Sequence, residues 1–192
     1  MKTRIAGAVF TVLLAATAAA AGEKGGFIGV EGAASFVHPV DVPADDISMH
    51  PGFAAGLIGG YDFGKVRVQG ELTYRQNTVN DGRGTVALTS LAANGLYDIA
   101  DFGNVTPFVG GGIGVGYIDF RDTVAGASYI DDGTMVGLFQ AVAGTAVKLA
   151  PKVYLDLSYR FVVAPFEVKQ GGDEDTSVYL NQNVMLGLRF GL

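Results

Sequence analysis

The sequence has 192 residues, of which 49% are hydrophobic, a mean hydropathy of +0.33 and a formal net charge of −6. Its lack of cysteine excludes a disulfide framework, a thiolate metal site and a cysteine nucleophile. The acidic charge argues against nucleic acid as a partner, and the length indicates one domain.

The N-terminal segment has the three parts of a secretory signal peptide. Lys2 and Arg4 form a basic start, residues 5–16 are apolar, and the small residues Ala19 to Ala21 fit a cleavage site before Gly22. No later segment reaches the roughly 18 uninterrupted apolar residues of a membrane-spanning helix. We therefore expect residues 1–21 to be removed and residues 22–192 to form an exported domain, for which a barrel in an outer membrane is one option.

Apolar and polar residues alternate with a period of two along the mature chain, which is typical of a strand with one face toward lipid and the other toward a barrel lumen. In the first three segments the predicted outward residues are Ile28, Val30, Ala34 and Phe36; then Phe53, Ala55, Leu57, Tyr61 and Phe63; then Val66, Val68, Leu72 and Tyr74. In the fourth segment, residues 85–97, Leu91 and Tyr97 face outward and Ser90 and Asn94 face inward.

The fifth segment, TPFVGGGIGVGYIDF, carries five glycines within seven residues. Their spacing does not fit a dinucleotide-binding or phosphate-binding loop. As a strand, the segment places Gly110, Gly112, Gly114 and Gly116 inward, where they would leave room for long lumen side chains and relieve strain in a curved sheet.

The last three segments complete a set of eight. The outward residues are Phe139, Ala141, Ala143 and Val147; then Val153, Leu155, Leu157, Tyr159 and Phe161; then Val184, Leu186, Leu188, Phe190 and Leu192. The sequence therefore predicts an all-β fold, an eight-stranded antiparallel transmembrane up-and-down β-barrel.

The connections between the predicted strands alternate in length. Short connections at 62–65, 100–104 and 150–152 alternate with long ones at 37–51, 121–132 and 165–175, as expected of periplasmic turns and outer loops. We expect no periplasmic domain after the eighth strand.

The predicted inward charges form a polar lumen network of Glu31, Arg67, Glu71, Arg75, Lys148, Asp156, Arg160 and Arg189. Buried charges are costly unless they are paired. One interpretation is a polar plug, because eight strands leave little bore. The alternative is a narrow cationic pathway for ions or small solutes.

The outer loops carry most of the acidic residues and a predicted net charge of about −8, which equals that of the mature chain. His38 and His50 bracket the first loop, but two histidines twelve residues apart do not predict a metal site. No motif of a lipid A-modifying enzyme is present, so we predict no catalytic residues, no metal and no cofactor.

The stretches GYDFGKVRVQGELTYR, LAANGLYDI, TPFVGGGIGVGYI and NVMLGLRFGL together resemble the small eight-stranded outer-membrane β-barrel family, the OmpA-like and opacity-type surface proteins. The resemblance implies insertion by the outer-membrane assembly machinery, which reads a C-terminal signal. Gly187, Phe190 and Leu192 occupy the signal positions, and Leu192 departs from the usual terminal phenylalanine.

The resemblance and the pattern together predict a monomer in the outer membrane of a Gram-negative bacterium. Its partners would be outer-membrane lipid and lipopolysaccharide, the assembly machinery, and a host or surface ligand at the loops. The predicted role is structural or surface-interacting. A porin-like channel and a lipid A-modifying enzyme are the alternatives.

Overall fold

In the computed structural model, the described residues are 24–38, 40–42, 45–47, 49–79, 84–125, 128–170 and 173–192. They form the closed, eight-stranded antiparallel barrel that the sequence predicts, and a small two-stranded sheet. The predicted signal peptide lies outside the described residues. No helix among the described residues is long and apolar enough to cross a membrane.

The barrel strands follow the chain in a meander. They are β1 (Gly25–Val37), β4 (Gly52–Asp62), β5 (Val66–Thr78), β6 (Thr85–Asp98), β7 (Val105–Ala125), β8 (Ser128–Ala150), β9 (Val153–Gln170) and β10 (Asp173–Gly191). The small sheet pairs β2 (Val40–Val42) with β3 (Asp45–Ile47). Antiparallel pairing of β1 with β10 closes the barrel, with Val30 opposite Leu188 and Glu31 opposite Gly187.

Side chains alternate across the wall as the period of two requires. Along β5 every second residue from Arg67 to Asn77 is buried, whereas Val66, Val68 and Tyr74 are exposed on the outer surface. Such an outer band of exposed apolar side chains runs around the barrel, on the face that the sequence predicts to lie toward lipid.

The two ends of the barrel differ. At one end, here called the short-turn end, strands are joined by residues 63–65, 99–104 and 151–152. At the opposite, long-hairpin end, the predicted loops 121–132 and 165–175 are mostly strand: β7 and β8 pair up to Ala125 and Ser128, and β9 and β10 up to Gln170 and Asp173. The connections predicted at 121–132 and 165–175 are therefore mostly continued strand, because cross-strand pairing extends both hairpins despite their polar sequence.

The glycines of β7 lie against β6. A Cβ added to Gly112 would collide with Oδ1 of Asn94 and lie 2.5 Å from the carbonyl oxygen of Ala93. A Cβ added to Gly114 would lie 2.8 Å from the Cα of Ala92. These glycines thus allow β7 to lie close to its neighbour β6. This close contact replaces the prediction that they leave space for long charged side chains.

Candidate functional site in the barrel lumen

The lumen is filled by three successive layers of side chains. The layer at the short-turn end contains Arg67 and Arg189 with aspartate partners. A middle layer, here called the central cluster, consists of Glu31, Glu71, Arg75 and Arg160. The layer at the long-hairpin end is largely apolar. Strand alternation alone puts the charged residues inside, and the barrel register decides which of them meet.

Arg160 of β9 joins two carboxylates from other strands. Its Nη1 and Nη2 each donate to Glu31 of β1 at 2.8 Å, in a bidentate pair. Its Nη1 also lies 2.5 Å from Oε2 of Glu71 on β5. The guanidinium and both carboxylates are almost fully buried, so this contact joins β1 at the seam to β9 and β5, which lie opposite each other in the closed barrel.

The carboxylate of Glu71 accepts hydrogen bonds from several side chains at once. Its Oε2 accepts from Asn94 Nδ2 at 2.9 Å and Gln140 Nε2 at 3.0 Å. Its Oε1 accepts from Thr73 Oγ1 at 2.7 Å and Arg75 Nη2 at 3.4 Å. Desolvation of a buried carboxylate is compensated only by such dense hydrogen bonding.

The central cluster has no formal net charge, since two glutamates oppose two arginines. Arg75 completes it with a hydrogen bond from Nη1 to Ser90 Oγ at 2.8 Å. All four charged side chains are at most 8% exposed. A neutral, mutually bonded group of this kind stabilises the position of its members and presents no excess charge to a passing ion.

Two arginines form the layer at the short-turn end. Arg67 donates to Asp98 at 2.9 Å and its guanidinium stacks over Phe108, 4.5 Å from the ring centroid. Arg189 donates through Nε to Asp156 at 2.9 Å and stacks over Tyr154 at 4.4 Å. Each guanidinium therefore has both a carboxylate and an aromatic face as partners.

The space between these pairs and the short-turn end is open. A cavity of about 590 Å³ is lined by Asp62, Asp98, Tyr154 and Arg189, among others. Lys148, which the sequence places in the lumen, lines this cavity rather than the central cluster. A smaller cavity of about 280 Å³ shares Asp62, Lys148, Tyr154 and Arg189 with it. We call the two together the vestibule.

The layer at the long-hairpin end is a core of apolar side chains. Its members are Val79, Val86, Leu88, Ala92, Ile118, Val136, Leu138, Val162, Ala164 and Tyr179. Beside it, Ser35 Oγ donates to Asn77 Oδ1 at 3.0 Å and accepts from Asn181 Nδ2 at 2.9 Å. These apolar side chains form one buried cluster in that half of the lumen.

Sequence reasoning missed two groups of lumen residues. The predicted connection 62–65 includes Asp62, and the predicted strand 85–97 ends one residue before Asp98, although the alternation of β4 and β6 continues to both residues. The interior apolar residues of β6 to β9 have apolar residues on the opposite face as well, so hydropathy alone does not separate the two faces there. Continuing the period of two to each strand end would have found both groups.

The predicted assembly-signal residues lie on the closing strand. Phe190 faces outward at 41% exposure, and Gly187 is buried opposite Glu31. Leu192 donates its backbone N–H to the carbonyl of Gly26 at 2.8 Å. The three residues therefore lie along the β1–β10 seam, from the level of Glu31 to its end at Gly26.

The two histidines do not belong to the central cluster. His38 is exposed and its Nε2 contacts Nε2 of Gln182, while the carbonyl of His50 accepts from Asn77 Nδ2 at 3.2 Å. Within the described residues, no three histidine or carboxylate side chains gather in a way that could hold a metal ion.

Comparison with known proteins agrees with this architecture. The sequence matches the family model described as an outer membrane protein beta-barrel domain over residues 6–190. No curated protein matches the sequence significantly.

Solved structures of other outer-membrane proteins are similar to this chain. Neisserial surface protein A has a TM-score of 0.64 at 16% identity, covering 87% of this chain and 97% of its own. OprG from Pseudomonas aeruginosa has a TM-score of 0.53 at 15% identity, covering 89% and 99%. Ail of Yersinia pestis, solved with the heparin analogue sucrose octasulfate, has a TM-score of 0.51 at 18% identity, covering 88% and 100%. At these identities the likeness shows the fold.

Proposed function

The chain belongs to the outer membrane protein β-barrel family, and from this premise we propose that it is a plugged barrel whose acidic long hairpins act in surface interaction. Its location is the outer membrane. Residues 1–21 serve as the signal peptide in this proposal, so the exported protein should have the mass of residues 22–192.

The observation that carries the plug is the pairing within the central cluster. An ion that crosses the lumen would have to separate Glu31 and Glu71 from Arg160, leaving charges unpaired in a low-dielectric interior, which costs roughly 3–5 kcal/mol for one broken pair. It would then meet the apolar layer. Both obstacles lie in series along one axis.

The acidic hairpins support the surface role. Residues 119–132 contain four aspartates and one arginine, and residues 164–175 contain four acidic residues and one lysine. Ail was solved with the heparin analogue sucrose octasulfate, which is an anion. The negative charge of the hairpins in this chain instead favours cationic partners, or divalent cations that bridge lipopolysaccharide. The outward apolar band provides the contact with outer-membrane lipid.

The vestibule favours a second candidate, a narrow channel for ions or small solutes. The test is single-channel conductance of refolded residues 22–192 in a planar bilayer, with insertion verified by protease protection. We expect no steady openings. Steady, ion-selective openings that change in Arg75→Ala would replace the plug with the channel.

We propose no catalytic activity. The corresponding measurement is the mass of lipid A from cells that express the protein, compared with cells carrying an empty vector. We expect identical masses, and a new acylation or deacylation product would establish the enzyme instead.

A further inference from the structure

The pairing between β8 and β9 stops before the two hairpins do. Its last pair at the long-hairpin end is Phe139 with Val163. Beyond it, β8 continues to pair with β7 as far as Ser128, and β9 with β10 as far as Gln170. Among the described residues of the barrel wall, the long-hairpin end of β8 thus has a ladder partner on one side.

Proline explains where the pairing stops. Continuing the antiparallel register would place Gly137 opposite Pro165, and proline has no backbone N–H to donate. Both residues are exposed, and a Cβ added to Gly137 would meet no atom within 4 Å. Beyond Phe139, the β9-facing edge of β8 at residues 134–138 thus has no ladder partner among the described strands.

The position of this edge is at the upper boundary of the apolar band. Cross-strand pairs place several outward residues at the same level as this edge. Met135 lies opposite Tyr117, and Thr89 lies between Tyr117 and Tyr74. The ring of Tyr74 packs against Phe53. Outward aromatic residues of this kind mark the interface of a transmembrane barrel with water. An unpaired edge is tolerated at that level, whereas hydrocarbon would penalise it.

We propose that residues 134–138 of β8 form a docking site for an extended, basic segment of a partner protein, which adds to the wall as a further strand. An open edge is a template for such addition. The inference rests on the proposed surface role. The β8 edge is chosen over the β9 edge because Pro165 removes a donor at the base of the latter.

Charge selects the partner. The two hairpins that flank the edge each have a formal charge of −3, from four acidic residues and one basic residue in 119–132 and in 164–175. A second copy of this chain would bring the same negative charge to the edge. A lysine-rich or arginine-rich strand instead combines backbone pairing with attraction to both hairpins.

The experiment uses the mature chain in lipid nanodiscs and a short peptide of alternating lysine and valine. Two matched peptides serve as controls: one with glutamate in place of lysine, and one with every backbone N–H methylated but the same charge. Binding is measured by fluorescence anisotropy, and backbone hydrogen exchange is measured along β8.

We expect the unmodified basic peptide to bind at least about tenfold more tightly than either control, and to slow exchange at residues 134–138. Equal binding of the methylated peptide would reduce the effect to charge attraction and overturn the proposal. Absence of binding would also overturn the proposal. Slowed exchange that appears with rising protein concentration, without the peptide, would overturn it too, because the edge would then pair with a second copy of this chain. If the proposed surface role is wrong because the barrel is a channel, the separate conductance measurement would show this.

Discussion

The carboxylate of Glu71 lies between two guanidinium groups, with Oε2 2.5 Å from Nη1 of Arg160 and Oε1 3.4 Å from Nη2 of Arg75. The three side chains come from two strands on different parts of the wall. Glu71 therefore neutralises two buried cations at once, and no other carboxylate of the central cluster contacts both.

Glu71→Gln should lower the free energy of unfolding by about 3–5 kcal/mol, because it leaves a buried positive charge without compensation. Asp119→Asn, which breaks the more exposed pair with Arg121, is the matched control and should cost about 0–1 kcal/mol. Urea unfolding in lipid vesicles measures both. Equal stability of the two variants would remove the central cluster as a stabilising element.

Leu188→Arg should destabilise the barrel by roughly 2–4 kcal/mol, since Leu188 faces outward near the middle of the apolar band. Phe102→Arg lies in the turn 99–104, where Phe102 is 73% exposed, and should cost about 0–1 kcal/mol because it lies near the interface. The same unfolding assay compares them. Insertion of Leu188→Arg with wild-type stability would reverse the assignment of faces.

Gly112→Ala should lower stability by about 1–3 kcal/mol through overpacking against Asn94 and the β6 backbone. Gly95→Ala is the control, because a Cβ there meets nothing within 4 Å. It should be neutral or stabilising by up to about 1 kcal/mol, since alanine is favoured over glycine in a strand. If both alanines behave alike, the close contact of β7 with β6 does not explain the glycines.

Phe190→Ala should slow assembly in cells, and Leu192→Phe should accelerate it, if these positions act as the assembly signal. Pulse labelling followed by gel electrophoresis of unheated samples measures the fraction of closed, fast-migrating barrel. Phe102→Ala, an exposed aromatic residue outside the signal, is the control. Refolding of the same variants into pure lipid separates recognition from stability: a defect of equal size without the assembly machinery would contradict the signal.

The faces of the barrel strands could be predicted because alternation is a local property of each strand. Glu31, Glu71 and Arg160 are assigned inward by their immediate neighbours alone. That Arg160 bonds to Glu31 could not be predicted, because the two are 129 residues apart and meet through closure and register. The length of the strands in the polar hairpins of β7 to β10 could not be predicted for a similar reason. Pairing with a neighbouring strand overrides the weak strand propensity of aspartate and glycine.

The seam between β1 and β10 has a consequence for the order of folding. The first strand of the barrel can find its outer partner only after the last strand has arrived, and such non-local pairing is slow. Until then Glu31 lacks Arg160, and the edge of β1 faces lipid with its backbone unsatisfied. Closure of the barrel therefore requires that the two ends of the chain come together, and the contact of Glu31 with Arg160 forms only at that step.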